Sequence, residues 1–153
     1  MAAARTTAAR LARQYGETAA TGMDGLDLRF PPPAVLADVD PATLPMPRAR
    51  ASALVALAAA LADGKVVIDP AADRQDVTAA LATLPGIGPW TAAYVRLRAL
   101  GDPDTFLPTD LGARRALRRL GANPDHSPEQ WRPWRSYALH HLWASLTDKE
   151  ITS

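Results

Sequence analysis

The sequence predicts an all-α protein, a single helical domain over residues 1–150. Three observations predict it. Apolar residues recur at i, i+3, i+4 and i+7 in one segment after another. Glycine and proline cut those segments to ordinary helix lengths with short connections. The one strand-like run, Val66-Val67-Ile68, is too short to found a sheet. A chain of 153 residues, 48% of them apolar, is long enough for one real core.

Each element has its own warrant. Ala4, Ala8, Leu11, Ala12 and Tyr15 share one face of a first helix, which Gly16 stops. Residues 18–33, rich in Gly and Pro, read as loop, and residues 34–39 as one or two helical turns. Pro41, Pro45 and Pro47 then break the chain. Leu54, Leu57, Ala58 and Leu61 mark an amphipathic helix that ends at Asp63-Gly64. Val77, Ala80, Leu81 and Leu84 mark the next, with Asp73 as its cap and Pro85 after it. Further helices are expected over residues 91–100, 111–120 and 129–146, the last starting at Ser127-Pro128-Glu129. The helical pattern begins at once with Met1-Ala2-Ala3-Ala4, as in a chain cut from a larger protein.

Composition excludes several chemistries. There is no cysteine, so no disulfide, thiolate zinc site or cysteine-ligated iron–sulfur cluster. His126, His140 and His141 have no metal spacing with other ligands. No apolar run approaches the length of a membrane span. The net charge of +1 makes no case for nucleic acid, which would need a local basic patch.

Leu84-Pro85-Gly86-Ile87-Gly88-Pro89-Trp90-Thr91 lies between two predicted helices. Two glycines permit a tight turn and clear side chains from its surface, so that successive N–H groups can approach an anion. Pro89 suits the first turn of the following helix, whose positive dipole end faces the same anion. A DNA phosphate suits such a site, and its contacts position without reading sequence. The carbonyls of Ala82, Leu84 and Ile87 are candidates to hold a sodium or potassium ion beside it. A Gly-x-Gly by itself is equally an ordinary helix–helix turn.

Asp110 follows Gly88 by 22 positions, in Phe106-Leu107-Pro108-Thr109-Asp110-Leu111-Gly112. Its ordinary reading is an N-cap. A carboxylate at a helix N-terminus also suits chemistry in which positive charge develops on a sugar. Asp102 and Asp104 sit in a turn-like loop that acidic residues suit anyway. Trp90 and Tyr94, four apart, share one helix face, and Trp143 lies on the last helix. Scattered aromatics are usually core. Trp131 and Trp134 read as packing, and Tyr137 is open to either reading. Arg114, Arg115, Arg118 and Arg119 form one stripe, opposite a core stripe of Ala113, Ala116, Leu117 and Leu120. With Arg96 and Arg98 near the hairpin, they are candidates for phosphate contacts or simply a solvated face.

The hairpin string, the Asp110 segment and Trp131-Arg132-Pro133-Trp134-Arg135-Ser136-Tyr137-Ala138 together resemble the helix-hairpin-helix DNA glycosylases, and among them the bacterial DNA-3-methyladenine glycosylase II branch. The resemblance runs from about Ala2 to Leu146. It implies a monofunctional N-glycosylase that excises alkylated purines such as 3-methyladenine in base excision repair. It implies Asp110 as the catalytic carboxylate, Trp90, Tyr94 and Trp143 around the base, and Gly86, Ile87, Gly88 and Thr91 at the DNA backbone. Bifunctional members carry a lysine nucleophile directly after the hairpin; here that place is Trp90, and the only lysines are Lys65 and Lys149. The implied partner is double-stranded DNA with alkylated bases. The implied setting is a monomer in the bacterial cytoplasm, at the nucleoid, with no cofactor beyond the hairpin cation. Members of this branch commonly add an N-terminal α/β domain and a loop whose side chain wedges into the duplex. Both would precede Met1, so the expectation is an N-terminally truncated domain. The competing expectations are a non-catalytic DNA-binding module left by truncation, and a purely structural helical bundle.

Overall fold

The computed structural model describes residues 2–125 and 128–147. His126, Ser127 and Lys149 lie outside them, and with them the expected helix start at Ser127. The described chain is helical almost throughout, with α1 (Ala2–Tyr15), α2 (Pro33–Ala37), α3 (Arg48–Ala62), α4 (Arg74–Ala82), α5 (Pro89–Ala99), α6 (Leu111–Arg119) and α7 (Arg135–Thr147). None of these helices is long and apolar enough to cross a membrane. The chain divides into two compact units: Met1–Val67 with Thr83–Gly86, and Ile68–Ala82 with Ile87–Ser153.

In the first unit, α1 ends where Gly16 donates its N–H to the Ala12 carbonyl, 2.9 Å away. The expected loop after it holds a small hairpin, β1 (Glu17–Thr18) paired antiparallel with β2 (Leu28–Arg29). Two residues a side are too few for alternation to show in the sequence. The hairpin explains Gly16 more sharply than a helix stop does. A Cβ there would stand 2.2 Å from the Arg29 carbonyl oxygen and 2.4 Å from that of Ala12. The core gathers Leu11, Leu44 and Ala51, with Tyr15, Val39, Met46, Leu54 and Val55 against them. On α3 the fully buried residues are Ala51, Ala58 and Ala60, while the leucines of the expected stripe are only partly covered. Val66 is buried with its N–H on the Ala60 carbonyl, 3.1 Å away, so the strand-like run closes the end of α3 and joins no sheet.

In the second unit, Asp73 caps α4 by accepting from the Gln75 and Asp76 N–H groups at 2.7 and 3.1 Å. The core is Leu97 of α5, Leu107, then Ala113, Ala116 and Leu117 of α6, and Leu139 and Leu142 of α7. Three expectations fail here. Leu120 is 67% exposed, because α6 ends at Arg119 and the chain turns away through Gly121 at φ 72°. The last helix is not continuous over 129–146. A 3₁₀ turn (Pro128–Trp131) precedes it, and α7 starts at Arg135. Pro133 lacks an N–H and restricts the residue before it, so it separates the two. Trp131 does pack, against Phe106 with ring centres 5.8 Å apart, but Trp134 is 59% exposed and lies edge-on to the exposed Tyr137.

Gly16→Ala is expected to destabilise the protein by about 1–3 kcal/mol, as over-packing does. Urea unfolding measures it; unchanged stability would mean that α1 and β2 do not approach as described.

Candidate active site

The second unit brings Asp110 together with all three expected aromatics. Asp110 caps α6. Its Oδ1 accepts the Ala113 N–H at 2.8 Å and, at the same distance, the indole Nε1–H of Trp143 from α7. Oδ2 has no hydrogen bond among the described residues. Gly112 leaves room for this arrangement, since a Cβ there would stand 3.1 Å from Oδ1 and 3.2 Å from Trp143 Cδ1. The cap and the alternative role are therefore one geometry: the carboxylate is bound through one oxygen and keeps the other.

The rings form a row. Tyr94 lies 6.3 Å from Trp143, tilted by 51°, and stacks on Trp90 at 5.1 Å with only 14° between planes. Tyr94 and Trp143 are partly buried against the core, whereas Trp90 is 40% exposed. His140 meets Trp143 edge-on at 5.3 Å. A patch of π-faces next to a carboxylate attracts a cation on both counts.

The hairpin residues divide between reasons. Gly86, in the first unit, has φ 82°, and a Cβ on it would stand 2.7 Å from the Ala53 Cβ, so the fold itself requires glycine. Gly88, in the second unit, has ordinary angles of φ −84° and ψ 172°, and a Cβ there would touch nothing within 4 Å. Neither backbone angle nor a neighbour among the described residues requires glycine at position 88. Gly88 is the N-cap residue of α5 without a capping side chain, and its carbonyl accepts from Ala92 at 3.0 Å. Among the described residues, the N–H groups of Ile87, Gly88, Trp90 and Thr91 donate to no protein acceptor. These are the orphan donors of a helix start, at its positive end. The carbonyls of Ala82, Leu84 and Ile87 come from both units. Among the described residues no group of three or more His, Asp or Glu side chains is placed to hold a metal.

The arginines are distributed otherwise than expected. Arg96 and Arg98 lie in the last turn of α5, at the end away from the hairpin. Arg96 is bound to Asp102 through its Nε. Arg114 pairs with Asp125 at 2.8 Å, while Arg115, Arg118 and Arg119 are exposed without an ion pair among the described residues.

The loop between α5 and α6 is what sequence reasoning missed. Asp102 is only 4% exposed. Its carboxylate accepts from Arg96, from the Thr105 hydroxyl at 3.0 Å and from the Asp104 N–H at 2.8 Å. Ser136, also 4% exposed, accepts the Thr105 N–H at 2.9 Å, and its own hydroxyl proton faces the carbonyls of Asp102 at 2.6 Å and Thr105 at 3.0 Å. Arg135 grips the Asp104 carboxylate with Nε at 2.7 Å and Nη2 at 2.9 Å, and the Asp104 carbonyl at 2.8 Å. Asp-x-Asp-Thr before the motif and Arg-Ser after the Pro-Trp pair were the available signal. Complementary polar residues 31 to 34 positions apart do not announce their pairing.

No family model matches the chain. Among curated relatives, it is 45% identical over 150 residues to the "Probable bifunctional transcriptional activator/DNA repair enzyme AlkA" of Mycobacterium tuberculosis, covering 94% of this chain and 30% of that one. It is 40% identical over 149 residues to DNA-3-methyladenine glycosylase 2 of Escherichia coli, covering 94% of this chain and 51% of the relative. Its fold matches the 8-oxoguanine glycosylase/lyase of Clostridium acetobutylicum solved with double-stranded DNA, at a TM-score of 0.74 and 16% identity, over 94% of this chain and 53% of that one. The fold is thus that of the helix-hairpin-helix DNA glycosylases. Within them, the chain belongs with the AlkA-type DNA-3-methyladenine glycosylase II family. It spans about half the length of the second relative and less of the first.

Burial alone would raise the Asp102 carboxyl, but the Asp104 N–H, Arg96 and Thr105 more than offset it and hold the group below its ordinary value of 3.8. A depressed folded value means that the ionised group's contribution to stability is complete above 3.8 and is lost as pH falls through the lower folded value. Thermal unfolding followed from pH 6 to about 2 should therefore show a loss of stability below the ordinary carboxylate range. Asp102→Asn should make that acid limb shallower; an identical limb in both proteins would contradict the network.

Proposed function

We propose that the chain is a monofunctional DNA glycosylase that removes alkylated purines, such as 3-methyladenine, from duplex DNA. The observation that carries this reading is Asp110: a carboxylate fixed through one oxygen by Ala113 and Trp143, beside a row of three aromatic rings. An alkylated purine is cationic, so π-faces favour it over a normal base. Its glycosidic bond is already weakened. The flipped base leaves with the bonding electron pair, and positive charge develops on the deoxyribose. Asp110 stabilises that charge through space. Water then adds to the sugar carbon on the face opposite the base, and its proton passes to Asp110 or solvent, leaving an abasic site.

The absence of a lysine nucleophile at Trp90 supports hydrolysis without strand cleavage. The N–H groups of Ile87, Gly88, Trp90 and Thr91, which donate to no acceptor among the described residues, support a phosphate grip. The reading places the protein as a monomer on bacterial nucleoid DNA in the cytoplasm. The second reading, a DNA-binding module without catalysis, draws on the unpartnered hairpin donors alone.

Incubation with methylated duplex DNA separates the two readings. Free base and alkali-labile abasic sites, with no direct strand break, are expected; binding without base release favours the second. Asp110→Asn, which keeps an acceptor for the indole, should lower base release by about 100- to 1,000-fold with duplex affinity retained. Gly88→Ala adds a methyl group that touches nothing in the chain. As an N-cap change it should cost about 0.5–1 kcal/mol of stability and weaken duplex binding about 5- to 10-fold, as titrated at fixed salt. Undiminished binding would remove Gly88 from the DNA contact.

A further inference from the structure

We propose that Ser136 and Asp102 are positioning residues for Asp110, fixing the register between the loop that ends in Asp110 and the helix that carries Trp143. The proposal rests on the function proposed above and names what holds the geometry of its site.

Three polar or charged residues are buried among those described, Asp102, Thr105 and Ser136, and all three belong to the one network between the α5–α6 loop and the start of α7. Burying polar groups costs free energy even when they are paired, and apolar substitutes of similar volume are often as stable. What a satisfied network provides in return is a single register. Ser136 sets that register from both its backbone and its side chain. Its N–H donates to the Pro103 carbonyl at 2.9 Å, and its hydroxyl meets Asp102 and Thr105. Arg96 from α5 holds Asp102 from the other side.

Two stiff arms leave this point. One runs from Thr105 through Leu107, 1% exposed in the core, to a turn in which Asp110 donates its N–H to the Leu107 carbonyl at 3.0 Å. The other is α7 itself, seven residues from Ser136 to Trp143, about 10 Å of helix. The arms meet again where the Trp143 indole donates to Asp110 Oδ1 at 2.8 Å. Leu107 and Leu139 fill the space between them. Constraints closed in this way mean that slack at Ser136 is felt at Asp110, although Ser136 touches no reacting atom.

Ser136→Ala is the test, read by two signals. The indole N–H resonance of Trp143, assigned by its loss in Trp143→Phe, reports the bond to Asp110 without any substrate. Single-turnover base release, compared with affinity for undamaged duplex, reports the reacting geometry. The expected result is a shifted indole resonance with solvent exchange at least about tenfold faster, base release slowed about tenfold, and duplex affinity changed less than about twofold. Val77→Ala, a core change on α4 outside the network, should lower stability and leave the indole resonance in place. An unchanged resonance in folded Ser136→Ala overturns the proposal, whether or not the wild type releases base. A shifted resonance with no release by the wild type supports positioning and overturns the proposed function instead. Should Ser136→Ala not fold, Arg96→Gln, at the partly exposed edge of the network, is read in the same way.

Discussion

Asp110 Oδ1 accepts two hydrogen bonds at once, from the backbone of its own helix and from an indole on another. A neutral N-cap is a local device, and replacing it costs about 1 kcal/mol of helix stability. The second donor changes its character. It couples the start of α6 to the middle of α7, so that a capping residue becomes the joint between two helices. The surrounding choices are consistent with that joint. Position 112 carries no Cβ, where one would press on both partners. Leu107, Leu139 and Leu142 are buried behind it. The polar network around Ser136 ties the same two segments together at their other end.

The sequence made the helices legible wherever one apolar face was followed by a strong stop. Val77 and Leu81 are buried and Asp73 caps, as their spacing implies. Failure came where a local rule was outweighed or overlooked. The aromatic and apolar content of 129–146 suggested a continuous helix, but Pro133 decides the backbone there. Leu120 fits the apolar stripe of α6 by period and lies one residue beyond the helix that would have buried it. Of the candidate site, Asp110 and Trp90 were readable from contiguous motif strings, with Tyr94 and Trp143 outside them. The bonds between them were not. Trp143 to Asp110 spans 33 positions and Ser136 to Asp102 spans 34, distances over which no periodicity operates.

The hairpin's two glycines show how structure separates reasons that a string runs together. Gly86 answers to backbone angle and to Ala53, both within the chain. Gly88 answers to neither, and its open surface lies beside donors with no protein acceptor among the described residues. A glycine that neither backbone angle nor packing requires is the better marker of an outside partner. The arginines carry the opposite lesson: Arg96 looked like free charge and is committed to Asp102.

The stack of Trp90 on Tyr94 has a consequence for selectivity. At 5.1 Å between ring centres, these two faces already serve each other. A ligand that inserts between them must first break that pairing, and its binding energy is the difference between the old partner and the new. A neutral ring offers little more than the ring it displaces, so the exchange is nearly even. A ring bearing positive charge adds an electrostatic gain that tyrosine cannot match. Under the proposed function, self-pairing of this kind would set a threshold that disfavours neutral rings without hydrogen-bond readout.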